Sequence, residues 1–196
     1  MSLKAKWIEF LYRVATGSRD FRNLLTPIGA IVYGVFTALF VVVALQVDKW
    51  LKLPKLFPET LNLVVSLPIL SLALFMMGWS VFNFLKVKGT PVPFNPPPKL
   101  VTTGPYARVR NPMLTGVFLL LFGFGAFFRS LSLVLLFTPL FIFINAWELK
   151  AIEEPELEKR FGREYVEYRK KTPMFFPSLK KWKNEEEGLG EAWRKD

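Results

Sequence analysis

Two stretches of this chain carry residues whose types and spacing could do chemistry. The first is Gly104-Pro-Tyr-Ala-Arg-Val-Arg-Asn-Pro-Met-Leu-Thr-Gly116, where two arginines and an asparagine stand at the mouth of an uncharged apolar run. A guanidinium offers a planar fork of donors for a carboxylate or phosphate. Proline restricts the residue before it, and glycine lets backbone approach a bound group closely. The stretch therefore reads as a ligand-holding loop at a membrane surface; the plainer reading is a loop whose positive charges anchor a helix end. The second stretch is Glu153-Glu154. Its carboxylates can accept hydrogen bonds from ribose hydroxyls or an amino group and can favour a cationic ligand. Neighbours on a helix point about 100° apart, so only one of the two can face a given atom. The expectation is that Glu154 faces the ligand while Glu153 orients Arg108 or Arg110.

The chain has no Cys and no His among its 196 residues. That excludes disulfides, thiolate nucleophiles, imidazole acid/base catalysis and Cys/His zinc sites, leaving carboxylates, Tyr, Lys, Arg and backbone groups. The net charge of +10 is not spread over one soluble face, because the basic residues flank apolar runs. Anionic lipid head groups are thus the expected partner, and nucleic acid is not.

What must position these residues is a set of charge-free runs in a chain that is 52% hydrophobic. Residues 23–47 and 60–85 are uncharged, and at about 1.5 Å per residue each is long enough to cross a bilayer. Residues 111–128 and 130–147 are two shorter uncharged runs parted by Arg129 alone, which predicts a tight helical hairpin. The expected fold is an all-α integral membrane protein with four transmembrane helices, ending in that hairpin, with a cofactor-binding loop and tail in the cytoplasm. Lys and Arg fall five, five and twelve on one set of alternating segments against three and one on the other, so the positive-inside rule puts both termini in the cytoplasm. No internal repeat is evident.

The units expected along the chain are an amphipathic interfacial helix over 1–22, two spans over 23–85, a core over 86–183 and a charged tail over 184–196. The proline-rich segment 86–99 is expected to be extended and stiff. Two small-residue patterns suggest close helix packing: Ala30, Gly34 and Ala38 on the first span, and Gly116 and Gly123 on the third. Asn83, Asn111 and Asn145 fall near the cytoplasmic ends of three spans, where polar groups are expected to face a wet cavity.

The loop, the hairpin, Glu153-Glu154-Pro-Glu-Leu, Phe161-Gly162-Arg-Glu-Tyr165-Val-Glu-Tyr168 and the closing Pro177, in that order, resemble the isoprenylcysteine carboxyl methyltransferase and phospholipid methyltransferase superfamily. The resemblance covers about 89–177. It implies S-adenosylmethionine held over the last two spans, with a lipophilic, membrane-embedded methyl acceptor entering from the bilayer. Carried over by position, Gly104, Pro105, Tyr106, Arg108, Arg110, Asn111, Pro112, Met113 and Gly116 would wrap the cofactor. Glu153 and Glu154 would hold its polar groups, and Tyr165, Tyr168 and Arg169 would close the site. Arg110, Asn111 and Arg169 are the candidate catalytic groups, and no metal is implied. Many members have His at Asn111 and Tyr at Leu114; with those departures, carboxylate, phospholipid amine and thiol acceptors all remain open, as does oligomeric state. Two other functions compete: a non-enzymatic membrane lipid-binding or scaffold protein, and an NAD(P)H-dependent membrane reductase, because sterol reductases resemble the same C-terminal arrangement.

Overall fold

The computed structural model describes residues 3–87, 89–90 and 95–177. The charged tail expected over 184–196 lies outside them. All regular structure among the described residues is helical. Helix α1 spans Leu3–Thr16 and stops at Gly17-Ser18; α2 then begins at Arg19 and runs unbroken through Pro27 to Trp50. Pro54 and Pro58 prevent helix from continuing, and α3 spans Glu59–Lys86 with Pro68 inside it. A one-turn 3-10 helix over Gly104–Ala107 leads to α4, Pro112–Phe127.

Beyond the turn at Arg129, whose φ is +59°, one helical rod rises from Leu133 to Phe161. It is not uniform. A π-helical turn over Leu133–Phe137 precedes α5, Thr138–Glu148, and a second over Leu149–Glu153 precedes α6, Glu154–Phe161. Gly162, at φ +59° and ψ −132°, breaks the rod, and α7 covers Arg163–Lys171. Three helices, 20–50, 59–86 and 133–161, are long and apolar enough to cross a membrane, and α4 is a shorter apolar helix.

Helix α4 is the packed centre. It lies antiparallel along α3, and its glycines set the distance: a Cβ on Gly116 would sit 2.6 Å from Met77 Cγ and 3.1 Å from the Ala73 carbonyl, and one on Gly123 would sit 2.6 Å from Leu70 Cδ2. In lipid there is little hydrophobic force between apolar helices, so such close van der Waals contact carries the association. Gly116→Leu is accordingly expected to destabilise the detergent-solubilised protein by about 1–3 kcal/mol through overpacking, read as a fall in the thermal unfolding midpoint. An unchanged midpoint would mean that α3 and α4 part easily.

The other small-residue pattern behaves differently. Nothing lies within 4 Å of a Cβ built on Gly34, and Ala30 and Ala38 are exposed. Helix α2 instead joins the bundle through aromatic side chains on another face. Phe141 of α5 is fully buried, 5.5 Å from Phe36, 5.0 Å from Phe40 and 6.2 Å from Phe118 between ring centroids. The stripe's spacing was suited to a neighbour, but larger buried contact is available to the rings.

The end of the bundle away from Glu153-Glu154 is held by polar contacts. Asp48, near the end of α2, accepts from the Ser130 hydroxyl and from the Ser132 N–H at 3.0 Å, while Ser132 Oγ donates to the Ala44 carbonyl at 2.8 Å. Arg129 Nε donates to the Phe57 carbonyl at 2.9 Å. At the opposite end α1 packs on α6, where Lys159 pairs with Glu9 at 2.5 Å and lies 4.1 Å over the Tyr12 ring.

Candidate functional site

The loop residues reach their places through local backbone rules. Gly104 has φ +61°, a region L side chains avoid, and a Cβ there would meet Asn83 Oδ1 at 2.6 Å. Glycine thus allows the loop to lie against the end of α3. The Pro105 carbonyl accepts from the Arg108 and Val109 amides, each at 3.1 Å, closing the turn that buries Tyr106 against Phe84 at 4.9 Å. Asn111 stands just before α4, and Pro112 occupies the first turn, where a missing N–H costs nothing.

Helices α6 and α7 bring charge onto this loop. Arg110 Nη1 lies 2.6 Å from Glu154 Oε1 and 3.3 Å from the Tyr165 hydroxyl. Arg169 extends the cluster, 3.7 Å from Glu154 Oε2 and 3.2 Å from Glu158 Oε2. Only 11% of the Arg110 side chain and 12% of Glu154 are exposed, so this pair is shielded from the solvent that weakens surface ion pairs. Arg110 Nε is buried with no hydrogen-bond partner.

Tyr168 donates to the Tyr106 carbonyl at 2.7 Å. Burial pushes the Tyr165 hydroxyl up to about 12 and raises Tyr106 and Tyr168 as well, so all three phenols remain protonated donors at neutral pH.

Tyr106, Arg110, Glu154, Tyr165, Tyr168 and Arg169 are therefore brought together. Arg108 is exposed, Met113 is half-buried, and Pro105 and Pro112 are buried. Gly116 is buried against α3. The two acidic residues take the reverse of the expected roles toward arginine, because Glu154 holds Arg110. Glu153, half-buried, forms no ion pair among the described residues.

Asn83 and Asn145 are buried and bonded internally rather than to an evident cavity. Asn83 donates to the Trp79 carbonyl at 2.8 Å; Asn145 donates to the Phe141 carbonyl at 2.8 Å and accepts from the Tyr33 hydroxyl at 3.1 Å. A cleft of about 270 Å³ is lined by Phe36, Leu39, Phe40, Val43 and Phe137, none of them a candidate site residue.

Glu158 and the segment 173–175 were not anticipated as partners of the site. Glu158 reads in sequence as one more charge on an acidic helix. The carbonyls of Pro173 and Met174 accept from the Arg110 and Asn111 amides at 2.8 and 3.1 Å, and main-chain pairing of an irregular segment leaves no residue pattern to read.

Apolar helices long enough to span a bilayer, with a buried Arg–Glu–Tyr cluster where the basic loop enters α4, define a helical membrane protein with a built polar site at one end of its bundle. Residues 61–164, just over half of the chain, match the phospholipid methyltransferase family, and the chain belongs to that family. It is also similar to the nickel-cobalt-cadmium resistance protein NccN of Alcaligenes xylosoxydans xylosoxydans, at 32% identity over 87 residues, 44% of this chain and 40% of that protein. The cobalt-zinc-cadmium resistance protein CzcN of Cupriavidus metallidurans is 33% identical over 86 residues, 44% of this chain and 39% of its own length. The match thus spans about two-fifths of each relative. No solved structure matches the chain.

Proposed function

We propose that the chain is an S-adenosylmethionine-dependent methyltransferase acting on a lipophilic acceptor in the membrane. The observation that carries the reading is the buried cluster at the entrance of α4, formed by residues within and just beyond the segment that matches the family. Its atoms fit a nucleoside-bearing sulfonium. Glu153, free of ion pairs among the described residues, can accept from ribose hydroxyls, and Arg110 Nε is a buried donor without a partner. Glu153 is thus the ligand-facing carboxylate in this reading, and Glu154 the one that orients Arg110. When bound, the cofactor would supply an electrophilic methyl carbon on a sulfonium: the acceptor's lone pair takes that carbon, the methyl C–S bond breaks and the neutral thioether leaves.

The chain's own residues bind and align. Tyr165 and Tyr168 hold α7 over the loop, and Arg169 or Arg110 pairs with an acceptor carboxylate or phosphate through its planar fork. Such displacement onto a carboxylate or neutral amine needs no base before attack, so much of the rate comes from positioning. The absence of His is no obstacle.

Four spans complete the proposal, with α4 as the short one and both termini cytoplasmic. Reporter fusions at either end should both report the cytoplasm; termini on opposite sides would mean an odd number of spans. For the cofactor, calorimetry on the purified protein should show saturable binding of S-adenosylhomocysteine and none of NADH or NADPH. Dinucleotide binding instead would favour the reductase, and no binding of any of them the scaffold. The relatives' names favour a role in metal tolerance too. This chain has no Cys or His, and among its described residues no group of three or more His, Cys, Asp or Glu suited to a metal. In this reading a link to tolerance runs through the modified lipid.

A further inference from the structure

The last described residues run beside the 104–116 stretch in the same chain direction and touch it at four successive places. The Tyr168 hydroxyl reaches the Tyr106 carbonyl, and the Arg110 and Asn111 amides donate to the Pro173 and Met174 carbonyls. The Thr115 hydroxyl lies 3.3 Å from the Phe175 carbonyl. Phe175 itself packs edge-on to Phe118, 5.0 Å between ring centroids, against the core cluster around Phe141. Beyond it Phe176 is 76% exposed.

This arrangement has one apolar anchor and several weak polar ties. A hydrogen bond within a protein contributes little net stability, so three bonds from an irregular segment do not hold that segment in place by themselves. A ring seated against a packed helix does. The ring is on the strap formed by 173–175, while the groups it fixes are the main chain of Arg110 and Asn111, and the Arg110 side chain reaches the site.

We infer that Phe175 is a positioning residue for the site: its ring, seated on Phe118, draws the carbonyls of Pro173 and Met174 onto the amides of Arg110 and Asn111 and so sets the loop that carries the Arg110 guanidinium. The cofactor reading underlies the affinity arm of the test below; the exchange arm is independent of it. Without the anchor, the strap lifts and the loop loses two of its amide partners. The guanidinium then no longer meets Glu154 and Tyr165 in a fixed geometry.

The test compares full-length wild type, Phe175→Ala and Phe175→Leu in detergent. Amide hydrogen exchange is read by mass spectrometry on a peptide covering 108–112, and S-adenosylhomocysteine affinity by calorimetry. Because Pro112 has no amide, slow exchange in that peptide reports chiefly on 109–111. Phe175→Ala should speed this exchange at least tenfold while peptides from α3 exchange as in wild type, and should weaken binding about tenfold. Phe175→Leu, which keeps an apolar anchor, should restore both to within threefold of wild type. Unchanged exchange in Phe175→Ala would overturn the inference, and so would faster exchange with unchanged affinity. If wild type fails to bind S-adenosylhomocysteine, the cofactor reading falls, and the exchange of Phe175→Ala alone decides whether the strap sets the loop.

Discussion

Glu154→Ala is expected to cost about 3–5 kcal/mol of stability, the scale for removing one partner of a buried ion pair, because it leaves the Arg110 guanidinium buried without its carboxylate. Binding of S-adenosylhomocysteine should fall with it, even in protein that remains folded, since Arg110 is then held by Tyr165 alone. The double variant Glu154→Ala with Arg110→Met separates the two effects. Replacing a whole buried pair by apolar groups is often close to neutral, so most of the stability should return while binding remains lost. Thermal unfolding and calorimetry on wild type and the two variants measure this. If the single variant is as stable as wild type, the pair is not shielded as its burial indicates.

The second large effect lies at the other end of the bundle. Asp48→Ala removes the acceptor for the Ser130 hydroxyl and the Ser132 amide, and with it the support for the start of the 133–161 rod. Bonds to an ionised acceptor are among the stronger ones, and losing both should cost about 3 kcal/mol. Affinity for S-adenosylhomocysteine in the folded fraction should stay within about twofold of wild type, because additivity holds for distant sites. A large fall in affinity at constant stability would show that the two ends are coupled through the rod that runs between them.

Much of the fold was legible because lipid imposes a simple rule: a run that crosses it must be apolar and must satisfy its backbone internally. The charge-free runs therefore mark α2, α3 and the start of the rod, and the glycines of α4 mark a close-packing face without naming α3 as its partner. The stripe at Ala30, Gly34 and Ala38 misled for a related reason. Small residues permit close approach, but they do not say that a neighbour exists, and the bulk of Phe36 and Phe40 placed α5 on another face of α2.

In the site, residue types were legible and phase was not. An arginine in the loop and a carboxylate on the rod were expected to meet, and Arg110 does meet Glu154. Ordinary α-helical spacing says only that the two acidic residues face apart, not which of them meets the arginine. The turn over Leu149–Glu153 is π-helical, with i to i+5 bonding that advances the faces of the helix relative to an α-helix, and it sits directly before Glu154. Nothing in the sequence Leu149-Lys-Ala-Ile-Glu153 announces that turn. Glu158 and Phe175 are missed for a different reason, since their partners lie on other elements and no periodicity links them.

Methyl-labelled S-adenosylmethionine supplied to membranes containing the protein, followed by extraction of their lipids, reads out lipid methylation itself. Label is expected in a lipid species by mass spectrometry, dependent on the protein and absent with the double variant Glu154→Ala, Arg110→Met. An extract with no protein-dependent label, from membranes of the host in which the chain is naturally made, would contradict it.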